Sequence, residues 1–137
     1  MGLIHLDTGV VIGFLNPDDP HHGRSRDVMA EALNLGDRIE ASASVYAESL
    51  VAPFRSGDRS VEVVVDFFAR FPVAILPVDH DIATEAARLR ATHSSLRLPD
   101  ALVLATAVRR RADRLVTTDG RWPSELRRSV DIGVVIL

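Results

Sequence analysis

The chain has 137 residues, an apolar fraction of 47%, a charged fraction of 26% and a net charge of −3. That length fits one domain over residues 1–137, the composition is that of an ordinary globular protein, and the net charge gives no overall attraction to nucleic acid. There is no cysteine, and all 16 basic residues are arginine, which excludes disulfides, thiolate metal sites, cysteine nucleophiles, P-loops and Schiff-base lysines.

The N-terminal run Leu3-Ile4-His5-Leu6 predicts a strand that turns at Asp7-Thr8-Gly9, with Thr8 as N-cap of a helix through Val10 to Leu15. This start lacks a basic n-region, so it does not read as a signal peptide. The turn cluster Asn16-Pro17-Asp18-Asp19-Pro20 precedes a helix from His21 to Leu35, with Val28, Met29, Ala32, Leu33 and Leu35 on its apolar side. Arg38 to Ser42 predicts a short strand, and Ser44 an N-cap for a helix from Val45 to Phe54 that carries Pro53 late. Asp58 to Phe71 follows as a helix with Val61, Val64, Val65, Phe68 and Phe71 inward, and Pro72 stops it. Val73 to Val78 reads as a buried strand and Asp79 to His93 as a helix. Pro99 marks the first turn of a helix over Asp100 to Ala112. Arg114 to Thr117 predicts a strand ending before Asp119-Gly120, Ser124 to Arg128 a short helix, and Ile132 to Leu137 a closing strand. No apolar run approaches the roughly 20 residues needed to span a bilayer, and a soluble, cytoplasmic protein is expected.

Strands alternating with helices imply an α/β fold, a mainly parallel sheet of about five strands covered on both faces. In such sheets a ligand site lies beyond the carboxyl ends of the strands. Asp7 and Asp119 follow strands, Asp100 opens a helix, and Glu48 lies one turn into a helix that follows a strand, so the topology gathers all four at one edge. Each alone has a plainer explanation. Asp7 and Asp100 suit helix N-termini, Asp119-Gly120 suits a turn, and Glu48 suits a solvated helix face. Together, beside Leu50, Val51 and the apolar run Ala101 to Ala105, crowded carboxylates repel unless a cation neutralises them. An all-oxygen donor set suits Mg²⁺, with Mn²⁺ as substitute, and argues against zinc or copper. Such a site supports phosphoryl chemistry by activating water and stabilising charge on the leaving oxygen.

The segments Leu6-Asp7-Thr8-Gly9-Val10-Val11-Ile12, Ala47-Glu48, Leu98-Pro99-Asp100-Ala101-Leu102-Val103-Leu104-Ala105-Thr106-Ala107 and Leu115-Val116-Thr117-Thr118-Asp119 resemble, in order, the four acidic motifs of the PIN domain. Length and element order are similar to the VapC-type toxins, small ribonucleases of toxin-antitoxin pairs. The resemblance implies a three-layer α/β/α sandwich and an Mg²⁺- or Mn²⁺-dependent RNA endonuclease. It also implies a homodimer, inhibited by a VapB-like antitoxin whose tail occupies a groove beside the active site. Asp7 and Asp100 would be the principal metal ligands, Glu48 and Asp119 would complete the cluster, and Thr8 and Thr117 would position ligands or water. Gly9 stands where asparagine or serine is also common, and Trp122 where phenylalanine often follows the last acid.

Arg97 and Arg121, and then Arg55, are the arginines best placed for substrate phosphates. Arg109-Arg110-Arg111 and Arg114 lie at the far end of their helix and fit its dipole instead. His21-His22 read as surface residues and His5 as packed in its strand. Two rival classes remain in view: a non-catalytic PIN-like module that binds protein or RNA, and a phosphoryl-transfer domain with its aspartate at a strand end. The second lacks the lysine it needs.

Overall fold

Five strands form one sheet in the computed structural model, which describes residues 1–137. They are β1 (Leu3–Leu6), β2 (Arg38–Ser42), β3 (Val73–Leu76), β4 (Arg114–Thr117) and β5 (Gly133–Ile136). The spatial order is β3-β2-β1-β4-β5, and all four pairings are parallel. Seven helices connect them: α1 (Thr8–Leu15), α2 (His22–Leu35), α3 (Ala43–Ser56), α4 (Asp58–Arg70), α5 (His80–Thr92), α6 (Leu98–Arg109) and α7 (Ser124–Ser129). All of β1 and all of β2 beyond Arg38 are buried, so helices cover both faces of the sheet centre, as parallel sheets require. The expected α/β order and sheet hold. No helix is long and apolar enough to cross a membrane.

The topology fixes where a site can form. From β1 the chain builds outward through β2 to β3, then returns to place β4 on the other side of β1. This reversal opens a crevice at the carboxyl ends of β1 and β4, the switch point at which open α/β sheets bind ligands. The core beneath it is continuous. Ile4, Leu6, Val10, Val11, Leu104, Leu115 and Val116 are each at most 1% exposed. Phe14 of α1 meets Phe67 and Phe71 at ring-centroid distances of 5.4 and 5.2 Å, so aromatic packing ties the first helix to the end of α4.

Several local expectations are corrected. Asp7, not Thr8, is the N-cap of α1, because the Asp7 N–H still belongs to the sheet and donates to the Val116 carbonyl at 2.9 Å. Helix α3 begins at Ala43 with Ser42 as cap. Both serines sit at this start, with their hydroxyls 2.8 Å apart, and the earlier one takes the cap because the strand ends there. Leu98 opens α6, which puts Pro99 second rather than first. Strand β3 is an edge strand with Ala74 and Ile75 exposed, not a buried one. On α4, Val65 is 40% exposed while Phe67 is buried, because the inward stripe runs through Val64, Phe67 and Phe68. Leu33 and Leu35 of α2 also face outward.

One polar network joins β1 and β2 to the end of α6. His5 is fully buried and its Nε2 lies 2.9 Å from Glu40 Oε2. Arg110, just past α6, donates to the same carboxylate through Nε at 3.0 Å and Nη2 at 2.6 Å. Burial raises the Glu40 pKa, but the hydrogen bonds from Arg110 and His5 outweigh it and hold the carboxyl below its ordinary value. Arg114 pairs with Asp37 at 3.2 Å and Arg109 with Asp81 at 3.4 Å. Arg109, Arg110 and Arg114 are therefore engaged in ion pairs within the fold, a role beyond the helix-dipole complement expected of them.

Candidate active site

Asp7 stands where β1 becomes α1, with φ −83° and ψ 163°. Its Oδ1 accepts the Thr8 N–H at 2.8 Å, and its Oδ2 accepts the Thr117 hydroxyl at 2.6 Å. The residue is only 8% exposed. Burial pushes its pKa up, the bonds from Thr117 and Thr8 pull it back in part, and the charges of Asp100 and Asp119 push it further up. Thr117 ends β4, is fully buried, and also accepts the Asp119 N–H at 3.1 Å. One hydroxyl thus joins the two strand ends of the crevice and aims Asp7 into it.

Asp100 lies in the first turn of α6, where a carboxylate complements the helix dipole. Its side chain is 15% exposed, with Arg97 Nε 3.5 Å away. Burial raises its pKa, Arg97 lowers it and Asp119 raises it again, with a net upward shift. Glu48 is exposed on α3, contrary to the enclosed setting that its apolar neighbours suggested. Partial desolvation of its carboxyl still raises its pKa, followed by the charges of Asp7 and Asp100. Asp119 behaves oppositely. Hydrogen bonding from Arg121 holds it below the ordinary carboxylate value.

Asp7 therefore feels the charges of Asp100 and Asp119, Asp100 that of Asp119, and Glu48 those of Asp7 and Asp100, all around the switch point. Their chemistry fits a hard divalent cation: oxygen donors only, and three of the four carboxyls raised by burial and mutual repulsion, which a cation would relieve. Closure is incomplete, since no three acidic or imidazole side chains already converge as a metal cage. The counter-charges are arginines. Arg121 donates to Asp119 Oδ1 through its backbone N–H at 2.9 Å and Nε at 3.0 Å, and to Oδ2 through Nη2 at 3.1 Å. Arg97 and Arg121 edge a small cavity of about 120 Å³ with Asp100, Asp119 and the buried Trp122. Arg55 is exposed on α3 without an acidic partner.

Thr8 contributes its backbone N–H, while its buried hydroxyl has no partner. Thr118 was not singled out from the sequence. A Cβ placed on Gly9 would lie 2.0 Å from Thr118 Oγ1, so the side chain of the β4 loop fills the space where residue 9 would otherwise project. The glycine itself was the available signal. A second feature adjoins the acids. A groove of about 350 Å³ runs between α1, α3 and α4, lined by Ile12, Leu15, Ala52, Val63 and Val64 and reaching Glu48.

An acid-rimmed crevice at the β1/β4 switch point of a five-stranded parallel sheet defines a PIN-type α/β domain. The PIN domain family model matches residues 4–125, and the chain belongs to that family. Among solved structures it is similar to Mycobacterium tuberculosis VapC20, a sarcin-ricin loop cleaving toxin, with a TM-score of 0.71 and 19% identity over 86% of this chain and 91% of that one. It is similar to a chain of VapBC-1 from nontypeable Haemophilus influenzae, with a TM-score of 0.72 and 19% identity over 98% and 97% of the two chains. VapBC-5 of M. tuberculosis, from the VapBC family of toxin-antitoxin systems, matches with a TM-score of 0.67 and 19% identity over the full length of both chains. No curated protein sequence matches.

Proposed function

We propose that this protein is a metal-dependent endoribonuclease, the toxin of a toxin-antitoxin pair. What carries this reading is the placement of the acids at the switch point, Asp7 bonded across to Thr117 at the end of β4 and Asp100 and Asp119 lining one cavity, with burial and neighbouring charges raising the pKa of Asp7, Asp100 and Glu48. Asp7 and Asp100 would be the principal ligands of Mg²⁺ or Mn²⁺, with Glu48 and Asp119 completing the set. When bound, the cation supplies an activated water and stabilises charge on the phosphodiester. The chain's own contributions are positional. Thr117 and the Thr8 N–H fix both oxygens of Asp7, Asp100 rides on a buried helix, and Arg97 and Arg121 stand at the rim where substrate phosphates would pass.

A VapB-like antitoxin, supported by likeness to VapBC structures, and a homodimer, implied by the VapC resemblance, are part of the same proposal. The groove beside Glu48 has the dimensions and apolar lining for a partner segment, and Phe54, 69% exposed, and Val51, 48% exposed, extend apolar surface on α3. The rival reading, a non-catalytic PIN module, is favoured only by the pairing of Asp119 with Arg121. Incubating total bacterial RNA with wild type and Asp7→Asn, in Mg²⁺, Mn²⁺ or chelator, separates the two. Discrete metal-dependent fragments made by wild type alone support the nuclease, whereas intact RNA in all conditions moves the protein to the binding class.

A further inference from the structure

The acids of the crevice are not equivalent, and the difference lies in the arginine two residues beyond one of them. Both oxygens of Asp119 are already taken by Arg121: Oδ1 receives the backbone N–H and Nε, and Oδ2 receives Nη2. This is the planar fork by which guanidinium matches carboxylate. A divalent ion approaching Asp119 Oδ2 meets an occupied acceptor and a positive charge. Asp100 carries a looser version of the same arrangement, with Arg97 Nε 3.5 Å away. The lack of a ready three-acid cage fits this pairing.

We infer that Arg121, assisted by Arg97, is an internal counter-cation that competes with the divalent ion for the acidic crevice and transfers to a substrate phosphate when the ion binds. The inference rests on the metal-dependent reading above and adds a competition within it. The exchange is feasible because the Arg121 side chain is 80% exposed, and an ion pair so open to water is weak. Once displaced, the guanidinium remains at the rim of the small cavity shared with Asp100 and Asp119, free to donate to a phosphodiester oxygen. Metal and RNA then favour each other. RNA that draws Arg121 away tightens the metal site, and by linkage the metal tightens RNA binding by the same factor.

The test is Mn²⁺ binding by calorimetry without RNA, on wild type, Arg121→Gln, Arg121→Lys, Arg97→Gln and Asp7→Asn. Arg121→Gln is expected to bind Mn²⁺ about two- to fivefold more tightly, and Arg121→Lys, with charge but no fork, to fall between it and wild type. Arg97→Gln is expected to show a smaller gain. The same Arg121→Gln protein should bind a non-cleavable RNA more weakly in Mn²⁺. Unchanged or weaker Mn²⁺ binding in Arg121→Gln, with binding lost in Asp7→Asn, would overturn the counter-cation role and leave the nuclease reading standing. No Mn²⁺ binding by wild type or by Arg121→Gln would overturn both.

Discussion

Replacing Asp7 by asparagine should stabilise the metal-free protein while removing its activity. The carboxylate is 8% exposed and lies in the field of Asp100 and Asp119. Its pKa is raised, so folding favours the neutral form relative to the unfolded chain despite the hydrogen bonds at 2.6 and 2.8 Å. Asparagine keeps an acceptor for the Thr8 N–H and loses a charge-assisted bond with Thr117, worth about 1.5 to 3 kcal/mol. The upward shift means that burial and repulsion together exceed what such bonds return. Relief of an active-site charge of this kind typically yields about 0.5 to 2 kcal/mol, or roughly 2 to 6 °C in Tm for a domain near this size. The sign can be followed with pH. A raised folded pKa gives stability that is full below the ordinary carboxylate value of 3.8 and is lost as pH rises through the folded pKa. The advantage of Asp7→Asn in chelator should therefore be largest at neutral pH and vanish toward pH 4. Saturating Mn²⁺ should reverse the order at neutral pH, since an ion at a hundred times its Kd adds about 2.7 kcal/mol to wild type alone. Thermal melts across pH, with chelator and with Mn²⁺, read all of this. A variant less stable than wild type in chelator at pH 7, or an advantage that grows on acidification, would refute the reasoning.

Other perturbations test separate parts of the structure. Arg110→Met leaves Glu40, whose side chain is 6% exposed, with His5 as its remaining partner and should cost about 1 to 3 kcal/mol in urea unfolding at pH 7. Because the Glu40 pKa is depressed, that contribution is present above the ordinary value of 4.5 and is lost as pH falls through the folded pKa, so the deficit should shrink near pH 3. Gly9→Ala forces a Cβ to within 2.0 Å of Thr118 Oγ1 and should cost about 1 to 3 kcal/mol, with much of the loss recovered in Gly9→Ala/Thr118→Gly. Leu104→Ala, at a fully buried position of α6, should lower stability by about 2 to 5 kcal/mol in the same denaturant assay.

The element order was legible because apolar runs, turn clusters and helical stripes alternate along the chain, and alternation of that kind has one common solution. The acidic crevice was legible for the same reason, since strand ends and helix starts of a parallel sheet meet at one edge. Cap choices were not, because Asp7 against Thr8 and Ser42 against Ser44 turn on where the sheet hydrogen bonds stop, which is a property of the neighbouring strand. The exposed face of β3 depends on its edge position, and no local pattern in Val73 to Leu76 carries that. The His5–Glu40–Arg110 network joins residues whose proximity exists only once β1 pairs with β2. The Arg121 fork closes over two residues and was within reach of the sequence, but it turns on side-chain direction.

The most direct measurement is the anomalous difference density of a crystal soaked in Mn²⁺. A peak bound by carboxylate oxygens of both Asp7 and Asp100, at about 2.0 to 2.3 Å, is the expected result, with Asp119 turned from Arg121 toward the ion. A peak elsewhere, or no peak at saturating Mn²⁺, would contradict a metal-dependent nuclease built on this crevice.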